Sequence, residues 1–400
     1  MPGSRRRPPA LLEFIRTEQA AGTAMVVAAL IAIVWASLRP TGYSDFWETP
    51  LPLPLPGLDH FTVKLWINDG LMTLFFFVVG LEIKRETTVG ELADRRAAAL
   101  PVLAALGGMA VPALVYLAFT AGHPSMSAWA IPTATDIAFV LGICALAGPR
   151  VPASVRLFLL ALAIADDIGG ILVIALVYAG DIAPLWLLAV AAGVVAVIAL
   201  QRAGVQRVWP YVPLGVWIWY TTLLAGVHPA IAGVVVGVLT PVGPLRGGDD
   251  VMTRIEERLH PLTSFVVVPV FALASAGVAL SATAVVEALR APVFWGVFCG
   301  LVVGKPIGVS LTTWITARTG AGSPGPGASV AAIAWASPLA GIGFTVAIFI
   351  ATLALPDAQL LGHALIAILS ASVVAAVVGS VSLGVRARST LGQGLGKDST

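Results

Sequence analysis

The chain has 400 residues, of which 58% are hydrophobic and only 11% charged, and its mean hydropathy is +0.94. A soluble domain carries about 25% charged residues, so the composition excludes a soluble enzyme or binding module and indicates an all-α integral membrane protein. The formal net charge is +2 and the basic residues are dispersed, which gives nucleic-acid binding no support.

Residues 1–19, with Arg5, Arg6, Arg7 and Arg16, form an expected cytoplasmic tail. The apolar run Ala20–Leu38 that follows is longer than a signal-peptide core and is read as a retained first helix. Further apolar runs, closed by charge, Pro or Gly, begin near Leu65, Ala97, Ser125, Val155, Pro184, Trp209, Ala225, Leu262, Val293, Ser329 and Leu360. That gives about twelve spans, the seventh and eighth short and nearly continuous. Residues 20–385 thus read as one transmembrane domain in contact with membrane lipid, and 386–400 as a second cytoplasmic tail. With the N-terminus in the cytoplasm, nearly all of the 23 Lys and Arg residues fall on that side. Only Arg39, Lys64 and Arg290 fall outside, and Lys305 alone lies within a span. The asymmetry supports both the span count and inward termini.

The outer loop, 43–62, contains FWETPLPLPLPGLDH, in which Pro52, Pro54 and Pro56 alternate with Leu51, Leu53 and Leu55. An edge strand whose outer side lacks N–H donors fits this pattern, and a polyproline II segment is the alternative. GAGSPGPGA at 320–328 reads as a flexible cytoplasmic connection. Cys144 and Cys299 fall in apolar runs as small buried side chains, so neither a disulfide, a structural metal nor a cofactor is indicated.

Two spans carry their own interruptions. WAIPTATDIAF at 129–139 has Pro132 followed by Thr133 and Thr135, and WASPLAGIGF at 335–344 has Pro338 followed by Gly341 and Gly343. Proline, threonine and glycine in this order loosen a helix, so the fourth and eleventh spans are expected to break near mid-membrane. Broken spans in matching positions of two halves point to a transporter.

The stretch LFLLALAIADDIGGILVIALVY at 157–178 places Asp166 and Asp167 at its centre. At about 1.5 Å per residue it reaches across a bilayer core of roughly 30 Å, and each central aspartate costs about 2.5–3.5 kcal/mol on insertion scales. Neighbours on a helix point about 100° apart, so the two acids cannot share one environment. The other ionisable residues at membrane depth are Asp69, Asp136 and Lys305. Lys305 directly precedes Pro306, which disfavours regular helix at the lysine. Whether it merely neutralises an acid or takes part in turnover, it belongs beside a carboxylate. Asp136 lies just beyond Pro132, where half-helix N-termini would face it and a dipole-compensating role is expected. Asp69, in WINDG, reads as an interfacial polar residue.

This set favours reversible binding of a proton or a small hard cation, since burial and neighbouring charge tune a carboxylate pair that titrates as a unit. Sodium or lithium prefers oxygen ligands, which the aspartates, Thr135 and freed backbone carbonyls supply. If both ions compete for one site exposed alternately to each side, exchange follows. Two other functions are weighed against this. An intramembrane aspartyl protease wants its acids on separate helices and has no use for a buried lysine. A sodium-coupled symporter of an organic solute needs a sizeable ligand pocket, for which these small, apolar side chains offer little.

The motifs WINDGLM, FFFVVGLEIKRE, AIPTATDIAF, ALAIADDIGG, GVHPAIAGV, GKPIGVS and GIGFTVAIFI together resemble the NhaA-type sodium/proton antiporters of bacteria, over residues 14–388. The resemblance implies twelve helices in inverted-topology repeats, with both termini cytoplasmic in the bacterial inner membrane and with broken helices four and eleven crossing. It implies an ion transporter and not an enzyme, exchanging two protons for one sodium or lithium ion electrogenically under pH control. Carried over by motif, Asp167 is the main cation-binding carboxylate, with Asp166 its partner and Lys305 paired to Asp166. Thr135 and Asp136 sit at the crossing, where Asp136 and Lys305 balance opposite helix ends. A pH-sensing group maps onto Glu82, Arg85 and Glu256, with His228 also implicated, although ordinary loop charge accounts equally well for these. Glu257 stands where the best-known members are expected to carry histidine, and the prolines at 52, 54 and 56 oppose the hairpin pairing through which the family forms a homodimer.

Overall fold

A bilayer interior offers the backbone no hydrogen-bond partners, so an apolar run that enters it folds as helix. The computed structural model describes residues 10–90, 92–148, 151–205, 207–241, 251–324 and 328–395, and among them every regular element is helical. The expected tails lie partly outside these residues (1–9 and 396–400), as do Arg150, Arg246 and positions 325–327 of the glycine-rich loop. The first helix begins at Ala10 and the last ends at Leu395, so helix continues into both flanks.

The long helices are α1 (Ala10–Leu38), α3 (Val63–Thr88), α4 (Arg95–Thr120), α6 (Ala153–Val177), α7 (Pro184–Arg202), α10 (Val251–Ser275), α12 (Pro292–Thr319) and α15 (Ala358–Leu395). Eight helices are long and apolar enough to cross a membrane, or ten if two bent pairs each count as one span. The first bent pair joins the 3₁₀ turns of Pro124–Thr133 to α5 (Ile137–Leu146) at 42°. The second joins Val330–Gly341, which begins as α13 (Val330–Ala336), to α14 (Phe344–Ala354) at 50°. The expected seventh and eighth spans fold as α8 (Tyr211–Leu224) and α9 (Ala230–Leu239). At 1.5 Å per residue these reach only about 21 and 15 Å, so neither crosses the full core by length, and the count of about twelve is not reached on that criterion.

Centrality separates the long helices. In α6, 67% of the most apolar window is buried within the protein, against 11% in α7. The helix carrying both aspartates is therefore surrounded by protein, whereas α7 shows most of its surface to lipid. Two helices outside the apolar runs had no periodic signal long enough to announce them, α2 (Pro40–Trp47) and α11 (Ala282–Arg290). In the outer loop Leu51 N–H donates to Phe61 O at 2.8 Å and Leu53 N–H to Leu58 O at 3.0 Å, while Pro50 and Thr62 form one isolated antiparallel bridge. The inward donors are thus leucines and the outward positions prolines, but pairing is too short to make a strand.

The expectation of irregular backbone at Lys305 needs correction. Lys305 is helical (φ −67°, ψ −49°), and the irregularity sits one turn earlier, where Gly300–Gly304 forms a π-turn. The wide turn relieves the clash that Pro306 would otherwise make with the preceding backbone. The same stretch makes a close helix approach near the site. Gly300, Gly304 and Gly308 lie four residues apart along α12, and a Cβ at Gly304 would stand 2.9 Å from Pro112 Cα of α4, while one at Gly308 would collide with the Gly107 carbonyl. Small residues at this spacing let two membrane helices meet backbone to backbone, and that fixes the depth of Lys305.

Gly308→Val should therefore overpack this seam and cost about 1–3 kcal/mol, read as earlier thermal unfolding in mild detergent. Gly215→Ala, a helical position with open space around it, should unfold no earlier than the native protein. Equal behaviour of the two variants would show that the seam does not set stability.

Candidate functional site

The two bent pairs meet at their breaks. Where helix stops, amides and carbonyls lose their intrahelical partners, and several of the groups freed near the contact are met by specific residues. Asp136 caps α5, its Oδ1 accepting from Phe139 N–H at 3.3 Å. Its Oδ2 accepts from the Thr345 N–H at 3.1 Å and the Thr345 hydroxyl at 2.6 Å, so one carboxylate serves the first turns of both α5 and α14. The Asp136 N–H in turn donates to Ile342 O at 2.7 Å. Negative charge at two helix N-termini is the favourable sense of the helix dipole. At the opposite polarity, the Lys305 ammonium donates to the carbonyl of Thr133, the last residue before the first break.

Lys305 Nζ also lies 2.8 Å from Asp166 Oδ2, and neither side chain is exposed. Thr135 Oγ1 stands 2.7 Å from the same carboxylate oxygen and 2.9 Å from Ala340 O, so its single proton serves one acceptor at a time. Asp167 points elsewhere. It lines a cavity of about 90 Å³ together with Thr135, Asp136, Glu82, Arg85 and His260. The adjacent acids are thus divided as the 100° helical step requires, one into a lysine-threonine cage and the other into open space.

Gly341 and Gly343 make the crossing close: a Cβ at Gly341 would strike Leu301 O, and one at Gly343 would approach Ala134 O at 3.2 Å. Pro132 is buried against Gly300 of α12, where a Cβ would stand 2.7 Å from the proline ring. The charges mapped to pH sensing fall in two places. Arg85 pairs with Glu256 and with the buried Glu86, and Glu82 lines the cavity beside them. His228 is distant: its Nε2 faces Asp69 Oδ1 at 3.2 Å, near the start of α3, whereas Glu82 and Arg85 lie about 20–24 Å further along that helix. Ala230 N–H donates to His228 Nδ1 at 3.2 Å, whereas Nε2 is buried close to Asp69 without a hydrogen bond of good geometry. Asp69 is partly buried, its side chain 14% exposed.

Three residues of this region escaped sequence reasoning. Thr345 lies within a recognisable motif but has no chemistry of its own until Asp136 is placed opposite it. His260 sits one turn beyond Glu256, a spacing that could have drawn it in. Glu86 looks like one more loop acid until burial is known.

A family model described as Na+/H+ antiporter 1 matches residues 12–383. The chain belongs to that family. It is 43% identical over 386 residues to a protein named Na(+)/H(+) antiporter NhaA 1 from Klebsiella pneumoniae subsp. pneumoniae, covering 95% of this chain and 97% of that one. It is 42% identical over 384 residues to the Na(+)/H(+) antiporter NhaA of an Escherichia coli strain, covering 94% and 98%. Among solved structures, the sodium proton antiporter MjNhaP1 of Methanocaldococcus jannaschii superposes with a TM-score of 0.51 at 14% identity, over 94% of this chain and 98% of that one. This last likeness is one of fold.

Removing one partner of a fully buried pair leaves an uncompensated charge, at a cost of about 3–5 kcal/mol. Lys305→Ala should therefore lower thermal stability in detergent by that order, and combining Asp166→Asn with Lys305→Met should regain most of it. A double variant no more stable than Lys305→Ala would mean that the lysine acts through packing or through Thr133 alone.

Proposed function

We propose that the protein exchanges sodium, or lithium, for protons across the bacterial inner membrane, by alternating access at Asp166, Asp167 and Lys305. The observation that carries this reading is the division of the aspartates: Asp166 is bound to Lys305 and Thr135, while Asp167 borders a cavity. Family membership supports it, since relatives covering almost the whole chain are named Na(+)/H(+) antiporters.

On this reading the chain is a transporter and not an enzyme. A cation in the cavity meets carboxylate oxygen at Asp167, and the hydroxyl of Thr135 and carbonyls near the crossing complete an all-oxygen shell suited to a hard monovalent ion. Protons and the cation compete for the carboxylates, so loading one releases the other. Electrogenic exchange of two protons for one sodium needs two proton-binding groups, and three lie together here. With α8 and α9 taken as a shortened pair of crossings, the chain has twelve spans in two inverted repeats, the bent pairs as the broken fourth and eleventh, and both termini in the cytoplasm. The Arg85–Glu256 pair at the cavity's rim is then placed to tune ion access with cytoplasmic pH.

Everted vesicles containing the protein should dissipate a respiration-generated pH gradient when sodium or lithium is added. No response at any pH from about 6 to 9, the range in which His and perturbed acids titrate, would sink the reading. Asp167→Asn should abolish the response while the protein still accumulates in the membrane. Retained sodium-dependent proton flux in that variant would assign the ion to another carboxylate.

A further inference from the structure

Three helices bordering the cavity each continue past it into a phenylalanine, and the three rings meet. Phe349 of α14 lies one turn beyond Thr345, Phe76 of α3 lies between Glu82 and Asp69, and Phe271 of α10 follows the cavity-lining Thr263 and Val268. Ring centroids of Phe349 are 5.2 Å from Phe76 and 5.9 Å from Phe271. Phe271 and Phe349 are fully buried, and Phe76 nearly so. Beyond this layer the same helices turn polar: Asn68 and Asp69 on α3 and Ser275 on α10, with His228 stacked edge-on against Phe349 at 5.1 Å. Asn68 Oδ1 and Ser275 Oγ are buried without a hydrogen-bond partner in the protein. Buried polar groups without partners are expensive, and in a membrane protein they mark surfaces that water reaches in some state.

We propose that Phe349, backed by Phe76 and Phe271, is the gate that closes the Asp167 cavity from the face on which His228 and Asp69 lie. The proposal rests on the alternating-access reading above and names the residue that separates its two states. A dry aromatic layer blocks ion and water passage by refusing hydration, as hydrophobic constrictions do in channels. When the layer parts, the cavity gains a polar outlet lined by Asn68, Ser275 and the His228–Asp69 pair. Phe349 is a positioning residue: it touches neither Asp166 nor Asp167 but decides which side reaches them.

The test reads sidedness rather than activity alone. A cysteine at cavity-lining Ala138, in a protein with Cys144→Ala and Cys299→Ala, is labelled with a membrane-impermeant thiosulfonate from each face of oriented vesicles in sodium-free buffer. The initial rate should be fast from the Glu82 face and slow from the His228 face. Phe349→Ala should raise the slow rate toward the fast one and let sodium run down its gradient without proton counterflow. Phe349→Leu, which keeps apolar bulk, should preserve the asymmetry. Equal rates from both faces in the parent protein, or an unchanged slow rate in Phe349→Ala, would overturn the proposal. If Phe349→Ala does not accumulate, Phe76→Ala removes a ring from the same layer and carries the same two outcomes. Sodium-dependent proton flux in the parent vesicles is scored separately, so loss of the antiport reading and loss of the gate are told apart.

Discussion

The structure depends on how a broken helix is made tolerable where no water is at hand. Every amide and carbonyl released at a break must find a partner within the protein, and here two breaks are laid against each other so that one set of residues serves both. Asp136 takes the first amides of α5 and of α14, Ile342 O takes the Asp136 amide, and Lys305 takes the carbonyl end at Thr133. Two helix N-termini are thereby met by one acid and one carbonyl end by one base, while the carbonyl of Ala340 at the second break accepts from the Thr135 hydroxyl. Only once the ends are so satisfied can carbonyls and a hydroxyl be left lining a cavity.

Lys305 joins that scaffold to the acids. It binds Thr133 and Asp166 together, so the carboxylate that neutralises the lysine is tied to the same break that Asp136 stabilises. Asp167, one residue on, has turned about 100° out of that cage. Adjacent acids on one helix are therefore an economical way to set a tethered carboxylate beside an accessible one, and no second helix is needed to obtain the difference. Thr135 bridges the two roles, because its hydroxyl reaches Asp166 or Ala340 O while the residue also borders the cavity.

Much of this was legible in the sequence because it follows from one-dimensional quantities. Run length places α1, α6 and α12 in the membrane, Pro132 and Pro338 with their following Thr and Gly residues mark the interruptions, and charge inside apolar runs selects Asp136, Asp166, Asp167 and Lys305. What escaped depends on the rotation and meeting of distant elements. Asp69 and His228 are 159 positions apart, the first on α3 and the second in the turn between α8 and α9, and only the packing of these elements brings them within 3.2 Å. Thr345 matters through Asp136, 209 positions away. The lengths of α8 and α9 were ambiguous because the Gly226 turn (φ 75°) lies inside continuous apolar sequence, where hydropathy cannot see a bend.

The π-turns were equally invisible, yet they explain how straight apolar runs deliver polar groups to chosen faces. Wide turns occur at Trp66–Leu71, Thr263–Val267 and Gly300–Gly304, on the three helices that carry Asp69, the cavity-lining Thr263 and Lys305. One extra residue in a turn rotates everything after it by roughly a quarter of a revolution. A helix can then present small residues to a neighbour on one side of the insertion and a functional group to the interior on the other. In α12 this is explicit: Gly300 and Gly304 press against Pro132 and Pro112, and the next residue, Lys305, points to Asp166 and Thr133. Without the wide turn, Pro306 and the glycine seam would make competing demands on the same backbone; with it, close packing and the buried charge are met by consecutive residues.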